Sequence, residues 1–215
     1  MSLAARSLTY YLKSSLQYFG YAVGIGALIF VEFIFIHSGE ADAIGTAFRM
    51  AVAILVMFIA MLNPMYAMYS PNWYDANVLA MGGRRKDIFW GSIIKEILFL
   101  LMGVILVSVI YVIYGTPEMI PASVYIMVGS LPFTGMARII GHKIRKNGRV
   151  AVVIIALVAG FSAAAASTFS GLGKNISDLL PSGGASMVLF ILVAVGIYSV
   201  LQIFVHRLCS KAMVQ

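Results

Sequence analysis

The chain reads as an all-α integral membrane protein: six transmembrane helices, an N-terminal amphipathic interfacial helix and a short helix in the first cytoplasmic loop. Three observations predict it. Hydrophobic residues make up 61% of the 215 positions and charged residues only 11%, whereas a soluble domain carries roughly 45–50% apolar and about 25% charged residues. The apolar residues fall in runs of about 20, the length that crosses a hydrocarbon core as helix, and no alternating segments of about ten residues point to a β-barrel. The positive charges gather on one side of the topology those runs impose. No polar stretch is long enough to fold by itself, so residues 1–215 form a single domain.

Residues 3–18 form the interfacial helix. Leu8, Tyr11, Leu12, Leu16 and Phe19 share one helical face, and Arg6, Thr9, Lys13 and Gln17 share the other, a pattern that lies in the cytoplasmic interface or extends the first span into water. The spans follow at about Phe19–Ile36, Ala51–Met68, Ile93–Tyr114, Ile120–Ala137, Val150–Thr168 and Met187–Val205. The apolar run starts late and contains Glu32, so no cleavable signal peptide is expected. Pro64, after Asn63, and Pro132 each remove a backbone donor, permitting a kink that serves either a gate or a static bend. Gly20 and Gly24, and Ala156 and Gly160, offer small surfaces for helix packing, within the bundle or at a dimer seam.

Both termini are placed in the cytoplasm by charge. That side then holds Arg6, Lys13, Arg84, Arg85, Lys86, Lys95, Arg138, Lys143, Arg145, Lys146, Arg149, Arg207 and Lys211, leaving Arg49 and Lys174 outside with Glu40, Asp42, Glu118 and Asp178. The net charge of +7 is therefore a topology signal, and nucleic acid is not an expected partner.

The first cytoplasmic loop carries the densest signal. Ser70, Pro71 and Asn72 predict a turn. Asp75 then caps a short helix with Val78, Leu79 and Met81, which Gly82 and Gly83 end, and Arg84, Arg85 and Lys86 lead into the third span beside the anionic leaflet. Arg138–Arg149 is a second cytoplasmic segment, read as a solvated charge run that touches headgroups or a partner.

The run from Leu79 to Phe89, with its paired glycines and basic triplet between the second and third of six spans, resembles the leucine–glycine–basic–phenylalanine segment of ABC-2 type transporter permeases. The order of parts is similar as well. This resemblance implies that Asp75, Val78, Leu79, Met81, Gly82, Gly83, Arg84, Arg85 and Lys86 form a coupling helix seated in a cleft of an ATPase subunit. Arg84 departs from the family, which usually has a small hydroxyl residue before the basic pair. The resemblance further implies two ATPase subunits holding ATP and Mg, a second permease copy or close paralogue, a bacterial plasma membrane, and a re-entrant segment near Ser170–Ser186. Small six-span permeases that export amphipathic peptides such as phenol-soluble modulins are the most similar kind in size. An amphiphilic peptide, otherwise a lipid or drug, is the expected substrate, exported by alternating access.

The chain itself is expected to be no enzyme and to bind no cofactor. It has no G-x-x-x-x-G-K-[ST] phosphate loop, no histidine grouping for a metal, and no clustered acids of a lipid-modifying enzyme. Cys209, the single cysteine, fits a reducing compartment. Glu32, on a stripe with Ile25, Leu28 and Phe35, either faces a cavity for a cationic group or reaches water near His37; Asn63 is the other residue placed on a substrate path. An ATP-independent channel or secondary transporter is the alternative, set back because Glu32 is the one charge assigned to mid-membrane.

Overall fold

Apolar runs of about 20 residues satisfy their backbone best as helix, and a chain of this size has too little interior to bury every side of them. The computed structural model describes residues 3–39, 42–144 and 184–211, and its regular structure there is entirely helical. In chain order it comprises α1 (Leu3–Ile36), α2 (Ala43–Ala80), α3 (Arg85–Tyr114), a 3-10 turn (Pro117–Met119), α4 (Ile120–Ile144) and α5 (Gly184–Lys211). Each of the five long helices contains a stretch long and apolar enough to cross a membrane. The predicted fifth span, Val150–Thr168, and nearly all of the Ser170–Ser186 segment lie outside the described residues.

Helix directions follow from side-chain contacts. Tyr11 meets Asp75 and Phe30 meets Phe48, so α1 and α2 are antiparallel. Glu96 meets Arg138 and Gly103 faces Met127, which sets α4 antiparallel to α3. Tyr125 meets Phe190 near the starts of α4 and α5, and His142 meets Cys209 near their ends, so these two run parallel. The result gathers Arg6, Lys13, Arg84, Arg85, Lys86, Lys143 and Arg207 at one end of the bundle, while Asp42 and Glu118 mark the other.

The apolar core is centred on α2. Val52, Leu55, Val56 and Ile59 pack against Phe99, Leu100 and Val107 of α3, Met127 and Leu131 of α4, and Tyr198 of α5. Outward faces are just as apolar: Leu28, Phe35, Ile105, Ile113, Leu189 and Leu192 are all more than half exposed. Large hydrophobic side chains facing out on all five described long helices suit a lipid surround, because hydrocarbon imposes no cost on them.

Two helices differ from the sequence expectation. Residues 3–18 continue without a break into the first span. Ser7, Tyr11, Ser15 and Ala22 form the buried stripe, while Leu8 and Leu16 are exposed; the small and aromatic side chains let α1 pack onto its neighbours, which outweighs the amphipathic pattern. Likewise α2 runs through Ser70, Pro71 and Asn72. Proline's local preference for a turn yields there because Ser70 donates a buried hydrogen bond to Asp75, and Tyr11 pins the same carboxylate from α1. Asp75 thus lies inside α2, not at the start of a separate helix. Pro64 and Pro132 also sit within continuous helices.

Candidate functional site

Two features meet at the basic end of the bundle: an exposed elbow between α2 and α3, and a buried set of charges directly behind it.

The elbow is closed by backbone chemistry. Gly83 N–H donates to Val78 C=O and Gly82 N–H to Leu79 C=O, both at 2.9 Å, the paired bonds that end a helix through a left-handed residue. Gly82 supplies that residue with φ of 82°, a conformation costing a side-chain-bearing residue about 1–2 kcal/mol. Asp87 then accepts from the Arg84 N–H at 3.0 Å and caps α3, where its charge also suits the helix N-terminus. Val78 is fully buried against Tyr11 and Ile88, and Asn77 donates to the Tyr10 hydroxyl at 3.1 Å. Leu79, Met81, Arg84, Arg85 and Lys86 remain exposed. The tip is therefore an anchored, outward-facing surface that combines exposed apolar and basic side chains.

Behind it, Asp75, Lys95, Glu96 and Arg138 are all buried, with Glu96 and Arg138 at 0% exposure. Arg138 lies 3.6 Å from Glu96. Glu96 accepts from the Tyr198 hydroxyl at 2.6 Å, and Asp75 accepts from Tyr11 at 3.0 Å and Ser70 at 3.2 Å. Gly91 has a role here, since any Cβ at that position would collide with the Tyr11 ring and displace its hydroxyl from Asp75. All five long helices contribute to this network. Two cations and two carboxylates offset one another, which is the condition under which charge persists away from water. Burial nonetheless pushes the Asp75 carboxyl above the ordinary carboxylate range, against the opposing pull of Arg138, Tyr11, Lys95 and Ser70.

Beside the cluster is a pocket with room for about one water molecule, lined by Ser15, Tyr18, Asn63, Tyr66, Lys95 and Phe99. Asn63 is thus buried next to the charges, on the inner face of α2 where the substrate path was expected. Glu32 is not. It is exposed on the outward face of α1, in line with Leu28 at 71% and Phe35 at 74% exposure, so the stripe expected to face a cavity faces away from the bundle. Among the described residues, no group of His, Cys, Asp or Glu is placed to hold a metal ion.

The buried network escaped the sequence reading, which treated Lys95 and Arg138 as charges of the cytoplasmic side and left Glu96 aside. The signal was present: Lys95 and Glu96 stand inside the apolar run Ile93–Tyr114, and Arg138 directly follows Ala137 at the end of another. Ionisable residues inside such runs are rare and generally face partners in the bundle.

No protein-family model, no curated protein and no solved structure matches this chain.

Proposed function

We propose that this chain is the membrane-spanning subunit of an ATP-driven exporter of the ABC-2 kind, working with two copies of a separate ATPase subunit that hold ATP and Mg. The observation that carries the reading is the elbow. Leu79 and Met81 project beside Arg84, Arg85 and Lys86 from a glycine-closed turn fixed to α1 and α3, a surface built to transmit force from a soluble partner. The polar cluster behind it reaches all five described long helices, so movement of the elbow has a direct route into the bundle. The basic end faces the cytoplasm in this account, as the distribution of Lys and Arg favours, and a bacterial plasma membrane is the setting.

A second permease copy, or a close paralogue, completes the transporter. Its seam lies on the outward face of α1, where Gly20 and Gly24 have no neighbouring atoms within 4 Å of a notional Cβ and two helices can approach closely. An amphiphilic substrate, most simply an amphipathic peptide, suits a chain with 13 methionines, 13 phenylalanines and 11 tyrosines, because flexible and aromatic side chains adapt to varied apolar ligands.

One observation favours a second reading. Buried Lys95, Glu96 and Arg138 within apolar helices supply the internal charges that a secondary transporter or channel uses. The same experiment separates the two. With the ATPase reconstituted beside the chain in lipid, replacing Leu79 and Met81 by Asp reduces permease-dependent ATP hydrolysis at least about tenfold while insertion and monodispersity are kept, because two desolvated apolar contacts of an interface core are lost. Unchanged permease-dependent hydrolysis in the well-folded variant removes the elbow from the mechanism, whereas hydrolysis that never depends on the chain favours the ATP-independent reading.

A further inference from the structure

Arg138 is wholly buried, and its nearest ion-pair contact is the 3.6 Å approach of Nη1 to Oε1 of Glu96. That exceeds hydrogen-bonding length, and none of Nε, Nη1 and Nη2 meets a hydrogen-bond partner among the described residues, although a guanidinium carries five N–H donors in a fork that matches a carboxylate. Glu96 commits Oε2 to Tyr198 and leaves Oε1 without a hydrogen bond. Asp75 mirrors it: Oδ1 serves Tyr11 and Ser70, and Oδ2 accepts none. These two carboxylates are the negative charges that act most strongly on Arg138, Glu96 ahead of Asp75. One buried guanidinium thus lies 3.6 Å from the Glu96 carboxylate and within electrostatic reach of the buried Asp75 on another helix, and each carboxylate keeps an oxygen that accepts no hydrogen bond among the described residues.

We infer that Arg138 is an exchangeable clasp that pairs with Glu96 when the elbow is at rest and with Asp75 when the elbow is displaced, so that a push on α2 is handed to α4. The two pairings tie different parts of the bundle together. Through Tyr198, Glu96 links α3 to α5; through Tyr11, Asp75 links α2 to α1. Less than two helical turns of α2 separate Asp75 from the glycine turn, so displacement of the elbow carries the carboxylate with it. A close-packed interior favours two discrete arrangements over a gradual slide, and the cost of leaving a buried charge without its partner keeps the guanidinium on one carboxylate or the other. The residue is a positioning group and touches no substrate in this scheme. The inference rests on the ATP-driven reading for the source of the push, while the exchange itself does not need an ATPase.

The test uses the full chain in lipid nanodiscs. Spin labels are attached to cysteines placed at Ala76 and Lys143, both exposed at the basic ends of α2 and α4, with Cys209 replaced by alanine. Glu96→Gln keeps an acceptor for Tyr198 and removes the charge; it shifts the distance distribution toward the arrangement that pairs Arg138 with Asp75. Asp75→Asn shifts it the opposite way, each by about tenfold in population, as expected for one charge-assisted hydrogen bond. Shifts in the same direction, or none in either folded variant, overturn the clasp. Glu96→Asp shortens the side chain without removing its charge and repeats the Glu96→Gln shift in weaker form, which guards against a misfolded amide variant. Adding the ATPase with a non-hydrolysable ATP analogue moves the wild type toward the Asp75 pairing. Distances that respond to the substitutions but not to the nucleotide uphold the clasp and reject the ATP-driven reading. Permease-dependent hydrolysis with distances indifferent to the substitutions rejects the clasp and leaves that reading standing.

Discussion

Arg138 and Glu96 are the most demanding residues in the molecule, because each is held at 0% exposure where an unmatched charge is expensive. Replacing Arg138 by Met leaves the Glu96 carboxylate buried without its cation and lowers stability by about 3–5 kcal/mol. Adding Glu96→Gln in the same chain recovers most of that loss. Unfolding in mild detergent measures both, and a single-variant loss below about 1 kcal/mol contradicts the assigned pairing. Asp75 gives a pH signature. Burial raises its carboxyl above the usual range, so ionising it costs more in the fold than in the unfolded chain. The stability this contributes is complete below the unfolded value of about 4 and is lost as pH rises through the raised folded value. Wild type therefore falls behind Asp75→Asn as pH climbs toward neutrality, and the two converge in acid; a gap that widens on acidification contradicts the assignment. The groups facing Asp75 are Tyr11, Ser70, Lys95 and Arg138, one each from α1, α2, α3 and α4. Sequence made these charges visible as interruptions of apolar runs, but not their convergence, which depends on four helices meeting at one level.

At the scale of elements, local chemistry was most legible where the backbone alone decides. Paired Gly82 and Gly83 promised the end of a helix, and Gly82 does adopt the left-handed conformation that ends α2. Gly82→Val strains that turn by about 1–2 kcal/mol; trypsin then cuts faster at Arg84, Arg85 or Lys86 while global unfolding shifts by no more than that amount. Equal cleavage rates in wild type and variant contradict an anchored elbow. Where tertiary contacts compete, local signals lost. Pro71 announced a turn, yet α2 passes through it because Ser70 and Tyr11 both hold Asp75 on the inner side. The N-terminal segment showed an amphipathic face of leucines, yet Tyr11 and the small serines pack inward and Leu16 is left 58% exposed. Glu32 shows the same limit: its stripe was apolar and continuous, and only the packing of α1 shows that it points away from the other described helices.

At the scale of the whole molecule, composition was sufficient for the class. Long apolar helices, apolar outer faces and a polar interior near one end agree with a multi-pass membrane protein. The path from elbow to bundle is short. Exposed Leu79 lies on the same helix as Asp75 and exposed Met81 caps its end, and Asp75 acts on the charge of Arg138, which meets Glu96, whose partner Tyr198 belongs to the last described helix. A soluble motor at the elbow would thus act on every described long helix through one connected group of side chains. The most direct measurement is co-purification of this chain with any ATP-binding protein encoded beside it, followed by ATP hydrolysis in lipid with and without the chain. The account predicts a stable complex whose hydrolysis depends on the chain and on Leu79 and Met81. Failure of any ATPase to associate, or hydrolysis indifferent to the chain, would contradict it.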